Sequence, residues 1–184
     1  MQSLRIEDII VPIAEYATVS QDATLYDAIQ ALIKAQAEFD QSKYMHRAIL
    51  VLGEDGEVVG KLSKIDVIRG LEPNYKNIDQ FPDLKHWGVS KETATNILKD
   101  LQLWQKPLKD ICKKASSIHV RDIMSKPVDG EYLSREATLD EAIHQLVIGQ
   151  HQSLLVVDGQ KVIGILRLSD IFSTVAQLIN QCEV

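Results

Sequence analysis

Val59-Gly60-Lys61-Leu62-Ser63-Lys64-Ile65-Asp66 returns 104 residues later as Ile163-Gly164-Ile165-Leu166-Arg167-Leu168-Ser169-Asp170. Each stretch starts as an apolar run, passes through a glycine and ends at an aspartate. Working outward, Ala23-Thr24-Leu25-Tyr26-Asp27-Ala28-Ile29 returns as Ala137-Thr138-Leu139-Asp140-Glu141-Ala142-Ile143. Asp8-Ile9-Ile10 returns as Asp122-Ile123-Met124, and both of these pairs share an offset of 114. The chain therefore holds two copies of one unit. The first is longer by ten residues around Ala37–His46, where Phe39-Asp40-Gln41-Ser42-Lys43-Tyr44 either extends a helix or forms a loop.

Within each copy the periodicity changes in the same order. Leu25, Ala28, Ile29, Leu32 and Ile33 recur at helical spacing, as do Leu139, Ala142, Ile143, Leu146 and Val147. Thr24 with Asp27, and Thr138 with Glu141, supply N-terminal caps. The short runs Ala48–Leu52 and Ser153–Val157 read as buried strands. Turn residues follow each, Gly53-Glu54-Asp55-Gly56 and Asp158-Gly159, and then a second apolar run, so each pair is a β-hairpin. A second helix is expected from Asp66, stopped by Gly70 and Pro73, and its counterpart runs from Asp170 to about Ile179. Short extended pieces near Thr18-Val19 and Tyr132-Leu133 precede the first helices. The unit is β-α-β-β-α, twice, an α/β (α+β) chain.

The bulk composition narrows the function. At 184 residues, 45% hydrophobic and 25% charged, the chain suits one compact domain or two subdomains sharing a core. A copy of this size is marginal alone, so the two are expected to bury surface against each other. A net charge of −6 argues against general nucleic-acid or anionic-membrane binding. Cys112 and Cys182 form no metal or disulfide framework. No apolar leader or membrane-length run is present, and the expectation is a soluble, cytoplasmic protein.

The repeated strand end carries the chemistry. Its glycine lets a ligand or a neighbouring backbone approach closely. Ser63 and Asp66 at the strand-to-helix junction are expected to face one crevice. There a carboxylate can accept hydrogen bonds from vicinal hydroxyls such as those of a ribose. A hydroxyl and free helix N–H groups can hold a phosphate. The same residues also make a helix cap that needs no ligand.

Taken together, the Asp-Ile-Ile and Asp-Ile-Met lead-ins, the Ala-Thr-Leu helix starts, the paired hairpins and the Gly-x-x-Ser-x-x-Asp ending resemble a pair of cystathionine-β-synthase (CBS) domains, or Bateman module. The resemblance covers about Leu4–Leu71 and Ile118–Ile179. It implies two repeats (1–71 and 118–184) packed sheet to sheet as a pseudo-two-fold pair, with a segment between them (72–117). It implies clefts that bind adenosine-containing ligands: AMP, ADP, ATP, S-adenosylmethionine or NAD. By the same resemblance Ser63 and Asp66 line one site, with Asp66 on the ribose, and Asp170 serves the second. It further implies a homodimer acting on a regulated protein partner. Arg167 departs from the pattern at the position of Ser63. An arginine there can grip a phosphate, fill the cleft, or pair with Asp170 and close it. His46, Arg47, Lys61 and Lys64 near the first cleft are candidate phosphate contacts, and Thr18 and His151 are candidate ligand contacts.

In the middle segment Ser90 caps a helix carrying Ala94, Ile97, Leu98, Leu101 and Trp104 on one face. Pro107 suits the first turn of another with Leu108, Ile111, Cys112 and Ala115. An ordered helical insert is expected, with Trp87 and Trp104 as anchors. Two helices in series invite a helix-turn-helix interpretation, but the basic clusters of one are missing. The five histidines (His46, His86, His119, His144, His151) are scattered, and no grouping supports catalysis or a metal. The expected protein is a non-catalytic sensor without an obligatory cofactor. Its alternative is an interaction module with empty clefts that works through the insert.

Overall fold

The computed structural model describes residues 5–38, 46, 48–72, 74–75, 90–101 and 110–181. Arg47, Phe39–Tyr44, Pro73, His86, Trp87, Trp104, Pro107, Leu108 and Cys182, all singled out above, lie outside the described residues.

The first copy contributes β2 (Thr18–Ser20), α1 (Leu25–Glu38), β3 (Ala48–Leu52), β4 (Val58–Ser63) and α2 (Lys64–Leu71), after a short lead-in strand β1 (Val11–Pro12). The second contributes β5 (Tyr132–Ser134), α5 (Leu139–Gly149), β6 (Ser153–Asp158), β7 (Lys161–Arg167) and α6 (Leu168–Asn180). Between them lie α3 (Lys91–Asp100) and α4 (Ile111–Ser117). The sheets run β2-β3-β4 and β1-β7-β6-β5. In both, the first strand of the unit lies parallel to the second, and the second and third form an antiparallel hairpin.

The helices start where their caps place them. Thr24 Oγ1 accepts from the Asp27 amide at 3.2 Å, and the Asp27 carboxylate accepts from the Thr24 amide at 3.1 Å. Thr138 and Glu141 repeat the exchange at 3.3 and 2.7 Å. Each box is worth about 1 kcal/mol. The buried stripe is narrower than the spacing implied. Leu25 and Ala28 are fully buried, whereas Ile33 and Val147 at the fifth position are 56% and 64% exposed. Eight residues of helix rotate about 80° past a whole number of turns, which carries that position off the packed face. α1 runs three residues beyond the point matching the end of α5, so part of the insertion is helix. The second helix begins at Lys64, two residues before the expected start, and Gly70 lies inside it.

The packing crosses the repeat boundary. The lead-in Ile6–Val11 belongs by sequence to the first copy, yet Ile6 is buried in the second copy's core with Leu146, Leu154 and Leu166. Residues Ile118–Met124 do the reverse and pack with Leu25, Ile49 and Leu62. Val11 pairs with Ile165, and Ser125 pairs with Lys61, both antiparallel, in the same register of the two copies. α4 joins the first core through buried Ala115, and Lys114 Nζ donates to the Leu71 carbonyl at 3.2 Å. Ser90 caps α3 by accepting from the Thr93 amide at 3.1 Å. A third core lies between the sheets, with Leu50 and Leu155, one from each, both fully buried.

This crossing accounts for the repeated glycines. A Cβ on Gly164 would stand 2.8 Å from the Val11 carbonyl oxygen, and one on Gly60 would stand 2.5 Å from Met124 Sδ and 3.2 Å from the Ser125 carbonyl oxygen. At Gly164 the close neighbour is backbone, and at Gly60 it is the Met124 side chain with backbone behind it. Gly164→Ala should cost about 2–3 kcal/mol, and Gly60→Ala less, because the methionine side chain can give way where a carbonyl cannot. Urea unfolding of the two variants measures this; a negligible cost for Gly164→Ala would show that the crossing does not depend on that contact.

Candidate ligand-binding cleft

At the ends of β4 and β7 the two sheets part and leave a cleft of about 520 Å³. Tyr16, Ala48, Lys61, Ser63, Lys64 and Ile65 line it from one side. Ser125 lies beside Lys61, and Glu131, Gln150, His151, Gln152, Ser153 and Arg167 line it from the second copy. The volume is within the range of small-molecule sites. Its lining mixes an apolar wall (Tyr16, Ile65) with hydroxyls, three Lys or Arg side chains, and one carboxylate. A larger groove of about 1030 Å³ runs along α5, but its charged lining is Glu136, Asp140 and Glu141, all from the second copy. That groove repels anions and joins nothing from the first copy, so the inter-repeat cleft is the candidate site.

Ser63 is the N-cap of α2. Its Oγ accepts from the Asp66 amide at 3.2 Å, and Asp66 Oδ2 accepts from the Ser63 amide at 2.9 Å and from Oγ at 2.5 Å. The helix cap is thus formed, and it holds the two side chains against each other. Ser63 lines the cleft, and Asp66 beside it borders an adjoining crevice of about 210 Å³ with Arg69, Gly70, Tyr75 and Asp122. The capping bonds fix the Asp66 carboxylate over its own helix start.

In the second copy Arg167 takes the N-cap position without a side-chain cap bond. It forks onto Asp170 instead, with Nε to Oδ2 at 2.5 Å and Nη2 to Oδ1 at 2.6 Å. The two side chains are 4% and 13% exposed. Of the three roles open to Arg167, pairing with Asp170 is the one formed, and both carboxylate oxygens are engaged.

Lys61, Lys64, Ser63, Arg167 and His151 are brought together at the cleft. Thr18 is in β2, paired with Leu50, away from the lining. His46 is fully buried, with its ring 4.3 Å from that of Tyr16. Burial, reinforced by the charge of Arg167, lowers its pKa to about 4, against a hydrogen bond to the Glu15 backbone and the charge of Asp170. A neutral, enclosed imidazole presents no cation to a phosphate, which corrects the expectation for His46. Glu131 was not legible as a site residue. It accepts from Lys61 Nζ through Oε1 and lies 3.9 Å from His151 Nδ1. A lysine in the middle of an apolar strand run was the available signal that a carboxylate must come from elsewhere.

Residues 6–73 and 120–177 match the CBS domain family, and the chain belongs to it. Among solved structures it is similar to CBSX2 from Arabidopsis thaliana, at 18% identity and TM-score 0.59, covering 98% of this chain and 100% of that one. A structure of CBSX2 in complex with AMP is similar at 18% identity and TM-score 0.56, covering 95% and 98%. A CBS domain-containing protein from Kribbella flavida matches at 17% and TM-score 0.59, covering 94% and 98%. Curated protein sequences contain no match. Two CBS repeats packed as a pair are therefore the architecture of this chain. Among the described residues no helix is long and apolar enough to cross a membrane, and no His, Cys, Asp or Glu group could hold a metal.

Two outcomes follow from this geometry. Asp170→Ala leaves a buried guanidinium without its fork and should cost about 3 kcal/mol, against about 1 kcal/mol for Ser63→Ala, which loses only a cap. Equal costs in urea unfolding would show that the Arg167–Asp170 pair is not a structural element. The lowered His46 pKa means that between pH 6.5 and about 4 the unfolded chain binds a proton the folded chain refuses. Its contribution is intact above pH 6.5 and is lost as pH falls to about 4, by roughly 2–3 kcal/mol. Unfolding curves across that range should fall more steeply for the wild type than for His46→Gln, and parallel curves would refute the assignment.

Proposed function

We propose that this CBS pair is a non-catalytic sensor that binds a phosphorylated adenosine ligand in the cleft between its repeats. The observation that carries this is the convergence there of Lys61, Lys64 and Ser63 from one repeat with Arg167 and His151 from the other, beside a wall of Tyr16 and Ile65. Cations and hydroxyls suit a phosphate, and the apolar wall suits a base. Because both repeats line the cleft, a bound ligand bridges them and favours one relative arrangement, which a protein partner or a second copy can read. AMP, ADP and ATP are the favoured ligands, with NAD as a further phosphorylated member and S-adenosylmethionine, which carries no phosphate, as the alternative among adenosine-containing ligands. The AMP held by the similar CBSX2 structure supports the choice. Asp66, bonded to the cleft-lining Ser63, remains the candidate for the ribose. The second copy's strand end, with Asp170 engaged by Arg167, contributes Arg167 to this cleft and no second ribose carboxylate.

Thermal unfolding with AMP, ADP, ATP with and without magnesium, S-adenosylmethionine and NAD tests this. A ligand at a hundred times its Kd stabilises by about 2.7 kcal/mol, or roughly 5–10 °C for a chain of this size. An adenine nucleotide should give such a shift, and Asp66→Asn, which can keep the cap, should lose most of it. No shift with any ligand would leave the interaction module as the better account.

A further inference from the structure

Lys61 occupies a place that folding does not require to be charged. It faces Ser125 across β4 as Ile165 faces Val11 across β7, so the two are pseudo-symmetric mates. Ile165 is fully buried in the core between the sheets. The Lys61 side chain is only 11% exposed, and its ammonium donates to Glu131, 16% exposed, from the turn before β5 in the other repeat. A buried ion pair is generally no more stabilising than apolar side chains of similar volume. The second copy demonstrates the apolar solution at this register. The first copy instead keeps a largely desolvated ammonium on the cleft wall with a carboxylate as its partner.

Resting on the assignment of the cleft to a phosphorylated ligand, we propose that Glu131 is a built-in competitor for that ligand. The phosphate takes the Lys61 ammonium from Glu131, whose Oε1 already lies 3.9 Å from His151 Nδ1 and whose Oε2 stays on the Val128 amide at 3.2 Å. A direct ion pair between the repeats is thereby exchanged for one routed through the ligand. A neutral adenosyl compound offers Lys61 nothing and leaves the pair closed. The pair sets both the selectivity for anionic ligands and the link from occupancy to the repeat interface.

Calorimetric titration of the whole chain with AMP, adenosine and pyrophosphate tests this on the wild type, Glu131→Gln and Lys61→Met. Glu131→Gln retains an acceptor for the Val128 amide and removes the competing charge. It should bind AMP and pyrophosphate about tenfold more tightly, with adenosine unchanged. Lys61→Met should lose pyrophosphate binding and the preference for AMP over adenosine. If Glu131→Gln binds AMP and pyrophosphate no more tightly than the wild type, the competition is overturned, whatever Lys61→Met does. If pyrophosphate follows the expected pattern while AMP and adenosine do not bind, the competition stands and the adenosine assignment falls. A cleft that takes none of the three in either the wild type or Glu131→Gln overturns both.

Discussion

The structure depends on the close approach of two backbones at Gly164 and Gly60. The lead-in of each repeat crosses to the other repeat and lies against its third strand; at Gly164 only a residue without a Cβ leaves room for the Val11 carbonyl, and at Gly60 the Met124 side chain fills the space a Cβ would take. The crossing places Ile6 in one core and Val120 in the other, so neither half is complete without its neighbour's lead-in. It also sets Lys61 beside Ser125 and Ile165 beside Val11, which fixes how the sheets face each other and where they part. The cleft is a consequence of that arrangement.

Within this shared frame the two copies have diverged in their polar content. At the strand ends, Ser63 and Asp66 form a compact capping box, whereas Arg167 and Asp170 form a buried fork. Two residues earlier on the same strands, Ile165 in the second copy stands where Lys61 stands in the first. Charges that are neutralised within one copy (Arg167 by Asp170) and between copies (Lys61 by Glu131) meet at the same cleft. A duplicated scaffold has thus been turned into one asymmetric site, with His46 enclosed behind it as a neutral side chain.

Much of this was legible in local patterns. Helix caps are short-range, so Thr24 with Asp27 and Thr138 with Glu141 could be placed from spacing alone, and the turn residues located both hairpins. The stripe on each first helix was legible except at its edge, where Ile33 and Val147 turn outward. Less legible was anything that depends on where a side chain ends up in space. His46 looked like a surface cation and is sealed beside Tyr16. Glu131 showed no signal of its own and reaches Lys61 from the other repeat.

By itself the sequence determined the duplication, the order of strands and helices in each copy, and the strand end where polar chemistry gathers, because each of these is written in spacings of a few residues. Tertiary structure alone decided that the lead-ins cross between repeats and that Glu131 answers Lys61 from 70 residues away. These are contacts between groups remote in the chain, and their partners are selected by burial: a charge carried into the interior must meet whichever opposite charge the packing brings within reach.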